Sequence, residues 1–239
     1  MHNVTPVMRR ELAAFFWSPI AYVVLTIFLL VCGILFALVS FVPGGESSLR
    51  TLLGGQLPLI LVFVVPMLTM RLFSEEYRSG TIETLMTAPV SETDVVLGKF
   101  LGGFLFYVVL VASTAVYAVI MASFGRLDPG MLFCNYLGLV LLGGLFVSIG
   151  LFFSACTRNQ IVAVICSFVF IGVFTFLANL LAQKTSGALR LLLHHLSILD
   201  HYQDFARGLL DVDHVIFFVT TTALFLFLSV KVLESRRWR

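Results

Sequence analysis

Residues 74–99 read SEEYRSGTIETLMTAPVSETDVVLGK, the most polar long segment of an otherwise apolar chain. Five of the thirteen acidic residues stand in it: Glu75, Glu76, Glu83, Glu92 and Asp94. Gly80 suits a break or cap better than a helix interior. Ile82, Leu85 and Met86 then fall at i, i+3 and i+4, an apolar stripe on a short helix, with Glu83 and Thr87 turned away from it. Pro89 stops that helix because it steers Ala88 out of the α region. Ser91 and Asp94 have capping-box spacing directly ahead of Val95-Val96-Leu97 and open a new helix. The order is break, short amphipathic helix, break, capped helix. A loop that only had to stay wet needs no apolar stripe, so the stripe is expected to dock into a soluble partner.

The rest of the chain is oily. Of its 239 residues, 59% are hydrophobic and 12% charged, and the mean hydropathy is +1.04. Soluble domains carry about 25% charged residues. The composition therefore gives an all-α, polytopic membrane protein. A formal charge of +2 makes no case for nucleic acid as a partner. Cys32, Cys134, Cys156 and Cys166 lie in or beside apolar runs without zinc or CxxC spacing, so no metal site or disulfide framework is expected.

A span needs about 20 apolar residues. Six are expected, at residues 20–42, 52–73, 97–124, 130–155, 159–183 and 214–234, within one membrane domain covering 1–239. Pro58 and Pro66 interrupt the second. The sixth has the shortest apolar core and is expected to continue past Lys231, with the amine snorkelling to the interface. Residues 1–19 place Arg9, Arg10 and Glu11 before Phe15, Phe16 and Trp17, which suits an interfacial helix on the cytoplasmic surface or the basic flank of a signal anchor. A cleaved signal peptide is not expected, because the run 20–42 is too long for one and no small-residue cleavage site follows.

Charge orients the spans. With the N-terminus cytoplasmic, ten of the Lys and Arg residues fall on inner segments and five on outer ones. Three of those five lie in one long loop, where the positive-inside rule counts least. Both termini are then cytoplasmic, as is the loop 74–96, and the expected location is the bacterial cytoplasmic (inner) membrane. The apolar cores of the spans hold no Asp, Glu, Lys, Arg or His. Ion-coupled carriers retain such charges despite a cost of about 2.5–3.5 kcal/mol each, so their absence argues against one. Gly98/Gly102, Gly144/Ser148 and Gly150/Ser154 have the spacing of close helix packing. In the outer loop 184–213, Leu189, Leu192, Leu193 and Leu196 form a helical stripe and Gly208 ends a second amphipathic stretch. These short outer helices read as a structural lid or, more sharply, a substrate gate.

Two patterns suggest other chemistry. His195-x4-Asp200 has the spacing of a glycerolipid acyltransferase pair, with the histidine as general base. It stands without a companion motif and on the outer side. His194, His195, His201 and His214 lack single-face zinc spacing and read as interfacial or solvent-facing residues. No G-x-x-x-x-G-K-[ST] is present, and Gly98-Lys99-Phe100 lacks both the upstream glycine and the hydroxyl. Energy for uphill movement would have to come from another subunit, and no nucleophile–base pair stands out.

The loop Glu75-Glu76-x-Arg78-x-Gly80-Thr81-Ile82-Glu83-x-Leu85-x-x-x-Pro89-Val90-Ser91, followed by Val96-Leu97-Gly98-Lys99-Phe100, resembles that of ABC-2 type transporter permeases. Arg10-Glu11-Leu12 to Ser18-Pro19-Ile20-Ala21-Tyr22 is similar to the family's connecting helix. His201-Tyr202-x-Asp204-Phe205-x-Arg207-Gly208 with Asp211 resembles the subgroup linked to gliding motility and to nitrous oxide reductase maturation. The resemblance implies two paired permease chains, identical or related, over two cytoplasmic ATP-binding subunits. Those subunits would bind ATP and Mg, and this chain no cofactor. It implies that Glu75, Glu76, Arg78, Gly80, Thr81, Ile82, Glu83, Leu85, Met86 and Pro89 form the coupling site: the stripe would rest in a groove of the ATPase and the charges would fix its docking. Membrane lipid and an accessory subunit with an extracytoplasmic domain are further expected partners. A non-transporting scaffold that passes ATP-driven motion outward is the alternative, followed by a membrane-embedded acyltransferase.

Overall fold

The computed structural model of the chain describes residues 4–40, 51–81, 91–124, 128–177, 180–181, 184 and 195–237. Among these described residues every regular element is helical. In chain order they are α1 (Val4–Phe16), α2 (Pro19–Ser40), α3 (Leu57–Thr69), α4 (Arg71–Ser79), α5 (Glu92–Ser113), α6 (Ala115–Phe124), α7 (Pro129–Cys156), α8 (Gln160–Gly172), α9 (Ile198–Ala206) and α10 (Val212–Arg237). A π turn, Leu52–Gln56, leads into α3, and another, Val173–Leu177, follows α8. Joined end to end where they abut, these make six helices long and apolar enough to span a membrane.

The fourth span, α7, is the hub. Its apolar window is 72% buried, against 17% for the sixth span and 22% for the first and fifth. Small residues cause this, because they let neighbouring backbones approach. A Cβ on Gly138 would stand 2.7 Å from Phe205 Cβ of α9. One on Gly143 would run into the Tyr107 ring of α5, and one on Gly150 into Thr69 of α3. The Gly150/Ser154 pair of the sequence thus seats the second span, whereas Gly144 makes only ordinary contacts, the nearest being Phe104 at 3.6 Å.

The second span bends at two places for reasons written in its sequence. In the π turn the Leu57 N–H donates to Leu52 O. That leaves Leu53 O facing position 58, where proline has no N–H to give. The hydroxyl of Tyr202, from α9, donates to Leu53 O instead at 2.6 Å. Tyr202 is fully buried, and burial pushes its phenol well above the ordinary range, so it remains a donor. Lower down, the helix breaks at Met70, four residues after Pro66. There Ser154 Oγ of α7 accepts from the N–H groups of Phe73 (3.0 Å) and Ser74 (3.2 Å) and donates to Met70 O (2.8 Å). One hydroxyl inserted into the ladder satisfies three backbone groups and fixes the kink.

Beyond that kink the helix continues through Ser79, past the apolar run. Gly80 ends it with φ 73°, a left-handed cap that glycine adopts at no steric cost. Ser91 opens α5, its hydroxyl accepting from the Asp94 N–H at 3.2 Å. The sixth span runs to Arg237, with Lys231 half exposed and paired to Glu234 at 2.7 Å.

Candidate functional site

Three helices meet where the second span ends and the third begins. The N-terminal helix α1 lies lengthwise along α5, parallel to it and in a four-residue register. A Cβ on Gly98 would stand 2.7 Å from Val7 Cβ, and one on Gly102 2.7 Å from Glu11 Cβ. Four residues further, Phe15 stacks on Phe106 with ring centroids 4.8 Å apart. The third small-residue pair of the sequence, Gly98/Gly102, therefore admits the N-terminal helix. Residues 4–16 are held against protein along this line and do not merely lie on a lipid surface.

A buried ion cluster locks the three helices together. Lys99 of α5, 1% exposed, places its Nζ 2.8 Å from Glu11 Oε1 of α1 and 2.9 Å from Glu76 Oε1 of α4. Arg10 approaches Glu76 at 2.7 Å and Glu11 at 3.4 Å from the more exposed side. The Lys99 amine also lies 5.1 Å from the Phe73 ring centre. A second set of contacts surrounds Arg71 of α4. Its guanidinium sits 4.3 Å over the Phe15 ring and donates to Ser18 Oγ (3.1 Å) and Ala14 O (3.5 Å). Lys99 thus meets a carboxylate on each of two other helices, whereas the contacts of Arg71 are to an aromatic ring, a hydroxyl and a carbonyl.

The site residues read from the sequence distribute as follows. Glu76 points inward and is held by Lys99 and Arg10 within the chain. Glu75 and Arg78 are exposed on the same helix end. Gly80 is the cap, and Thr81 Oγ1 lies 2.9 Å from Ser79 Oγ. Ile82, Glu83, Leu85, Met86 and Pro89 lie outside the described residues. Glu11, Lys99 and Arg71 were not among the residues singled out. The available signal was Lys99 itself, a lysine followed by Phe100 at the mouth of an apolar run, which needs an anion from somewhere else in the chain.

On the opposite side of the molecule His201 and His214 are half-buried, while His194 lies outside the described residues. His201 Nδ1 and His214 Nδ1 lie 2.7 Å apart, and His214 Nε2 is 2.8 Å from Asp204 Oδ2. Arg207 reaches the same carboxylate at 3.3 Å, and His201 stacks on Phe217 with centroids 4.0 Å apart. These contacts fasten α9 to the start of α10. His195 is exposed and its carbonyl faces His201 Nε2 at 3.2 Å, while the Asp200 N–H meets the Ser197 cap. Among the described residues no three His, Cys, Asp or Glu side chains converge on a metal-sized site.

Packing and ion pairs join α1, α4 and α5 into one unit. The two ends of the loop, at Gly80 and Ser91, belong to helices tied to each other and to α1, and α4 is bound to the hub through Ser154. No curated protein matches the chain. A family model described as ABC-2 family transporter protein matches residues 57–235, from the start of α3 into the last turns of α10. That match covers most of the chain, including the Glu76–Lys99 pair and nearly all of the second to sixth spans, and the chain belongs to the ABC-2 transporter family as a multi-pass membrane permease.

Proposed function

We propose that this permease is the membrane subunit of an ATP-driven exporter, working as a pair of chains over two separate ATP-binding subunits that hold ATP and Mg. The observation that supports this most is the ion cluster beneath the loop. Glu11, Glu76 and Lys99 bind three helices where the loop begins and ends, so a push on the loop moves a rigid unit rather than a frayed end. In this reading Ile82, Leu85 and Met86 rest in a groove of the ATPase, with Glu75, Arg78 and Glu83 setting its orientation. Glu76 acts through Lys99 and does not contact the partner itself. Closure of the ATPase pair tilts the permease halves between two packings. The N-terminal side is then cytoplasmic, and the membrane is the bacterial inner one.

The test is purification of the tagged chain from its native membrane in mild detergent, with mass spectrometry of what accompanies it. A P-loop ATPase is expected with the wild type. Ile82→Asp and Glu83→Arg are expected to lose it, or to lose its stimulation, while inserting normally. A chain that purifies alone, or full coupling in both variants, would sink the proposal. The likeness of residues 201–211 to the gliding-motility and nitrous oxide reductase maturation subgroup favours a second form, in which the motion is delivered to an extracytoplasmic machine. The firm seating of Tyr202 on Leu53 O would carry it there. That form predicts ATP turnover in sealed vesicles with no solute flux.

A further inference from the structure

Two cavities meet beside Arg71. The larger, about 500 Å³, lies between α1, α4 and α5, a size typical of small-molecule sites, which run to about 300–1,000 Å³. Its charged walls are balanced, with Arg10, Arg71 and Lys99 against Glu11, Glu75 and Glu76. The smaller, about 160 Å³, lies between α2, α3 and the start of α8, and is lined by Ala21, Val24, Met67 and Leu68. Phe15, Ser18, Arg71 and Glu75 belong to both. A polar chamber thus continues, past one arginine, into an apolar slot between the first, second and fifth spans. Trp17 stands on the chamber wall, 90% exposed, as tryptophans do at a membrane interface.

The chamber makes two unlike chemical demands. The Arg71 guanidinium has five N–H donors, of which the contacts to Ser18 and Ala14 use two. Its planar fork suits a phosphate. Glu76 Oε2, by contrast, is a buried carboxylate oxygen without a hydrogen-bond partner, and it calls for a donor. A simple anion would meet the first demand and be repelled by Glu75 and Glu76. A simple cation would do the reverse. A phosphate and a primary ammonium on one headgroup meet both, and the apolar slot accepts a hydrocarbon chain.

We infer that this joint binds a phospholipid with a phosphoethanolamine headgroup, drawn from the leaflet on the N-terminal side. The phosphate lies on Arg71, the ammonium faces Glu75 and Glu76, and one acyl chain runs over Ala21, Val24 and Met67. A choline headgroup has no N–H to offer the carboxylate, and a glycerol headgroup has no cation. The site stands whether or not the chain exports anything, since it depends only on α1–α5 and α8.

Trp17 reports on it directly. The chain has two tryptophans, and Trp238→Phe leaves Trp17 alone. This chain, reconstituted in phosphatidylcholine vesicles, is dosed with brominated-chain phosphatidylethanolamine, phosphatidylcholine or phosphatidylglycerol at equal mole fraction. The ethanolamine lipid is expected to quench at roughly tenfold lower mole fraction than the other two, a preference of one good charged contact. Unbrominated phosphatidylethanolamine should relieve that quenching. Glu76→Gln should bring the ethanolamine curve onto the choline curve, whereas Arg71→Gln, which leaves the Lys99 cluster in place but removes the phosphate contact common to all three lipids, should move the ethanolamine curve to roughly tenfold higher mole fraction. Equal quenching by all three lipids in the wild type, an unchanged preference in Glu76→Gln, or an unmoved ethanolamine curve in Arg71→Gln overturns the inference. Relief of the quenching by soluble phosphoethanolamine at matching concentration overturns it in favour of a water-soluble zwitterion.

Discussion

Replacing Lys99 with methionine keeps a side chain of similar length and removes only the charge. The amine is 1% exposed and lies 2.8 and 2.9 Å from the Oε1 atoms of Glu11 and Glu76. Those two oxygens therefore stand less than about 6 Å apart, where like charges repel by about 3 kcal/mol at an effective dielectric constant of about 20. Arg10 offsets part of this, but it is 57% exposed and its contacts are screened. Leaving a buried charge uncompensated costs about 3–5 kcal/mol in comparable cases. The expected result for Lys99→Met is a melting midpoint lower by about 10 °C in mild detergent. Adding Glu11→Gln and Glu76→Gln to the same chain should restore most of the loss, because a neutral cluster no longer buries charge. A midpoint within a degree or two of wild type would refute the view that these charges hold α1 and α4 to α5. A triple variant as unstable as the single one would show that the loss came from packing.

Other expectations follow from the same structure. Ser154→Ala removes the acceptor of two N–H groups at the Met70 kink, while Met70 O keeps the Ser74 hydroxyl, and should cost about 1–3 kcal/mol in the same melt. Gly102→Val forces α1 off α5, since even a Cβ would crowd Glu11; a loss of about 1–3 kcal/mol and faster protease cleavage within residues 4–16 are expected. Tyr202→Phe strips Leu53 O of its donor and should cost about 1–3 kcal/mol. Because burial raises the Tyr202 phenol in the folded chain, its contribution is intact below the unfolded value of about 10 and declines only as pH rises beyond it. The wild type should lose stability above that pH more steeply than Tyr202→Phe, and equal slopes would contradict the assignment.

Local features could be read ahead of the structure because their causes are local. The six spans follow from apolar length. Gly80 and Ser91 mark the two loop ends because a left-handed cap and a hydroxyl cap need those residue types at those places. Gly150/Ser154 and Gly98/Gly102 announced close packing, since a missing side chain is visible in a sequence. Their partners were not visible. Glu11 and Lys99 are 88 residues apart, and no periodicity links them. Arg71 stands at a span end with nothing local to mark its contacts with Ala14, Phe15 and Ser18. The histidines at 201 and 214 looked separate because a turn between α9 and α10, not a shared helix face, brings them together. The family resemblance groups Glu76 with Glu75 and Arg78, and only the helical phase of α4 turns it inward.

The placement of α1 has a consequence for how the protein is made. Helix α1 packs on residues 98–106, which leave the ribosome much later. At about 5–20 residues per second, the 88 residues separating Glu11 from Lys99 take roughly 4–18 s to synthesise. Through that interval the first two spans are already available for insertion, while Arg10 and Glu11 have no amine from the third to meet. Glu11 closes its ion pair only after Lys99 has been made. Residues 4–16 therefore find their place well after they are made, so a defect in the third span would show itself at α1.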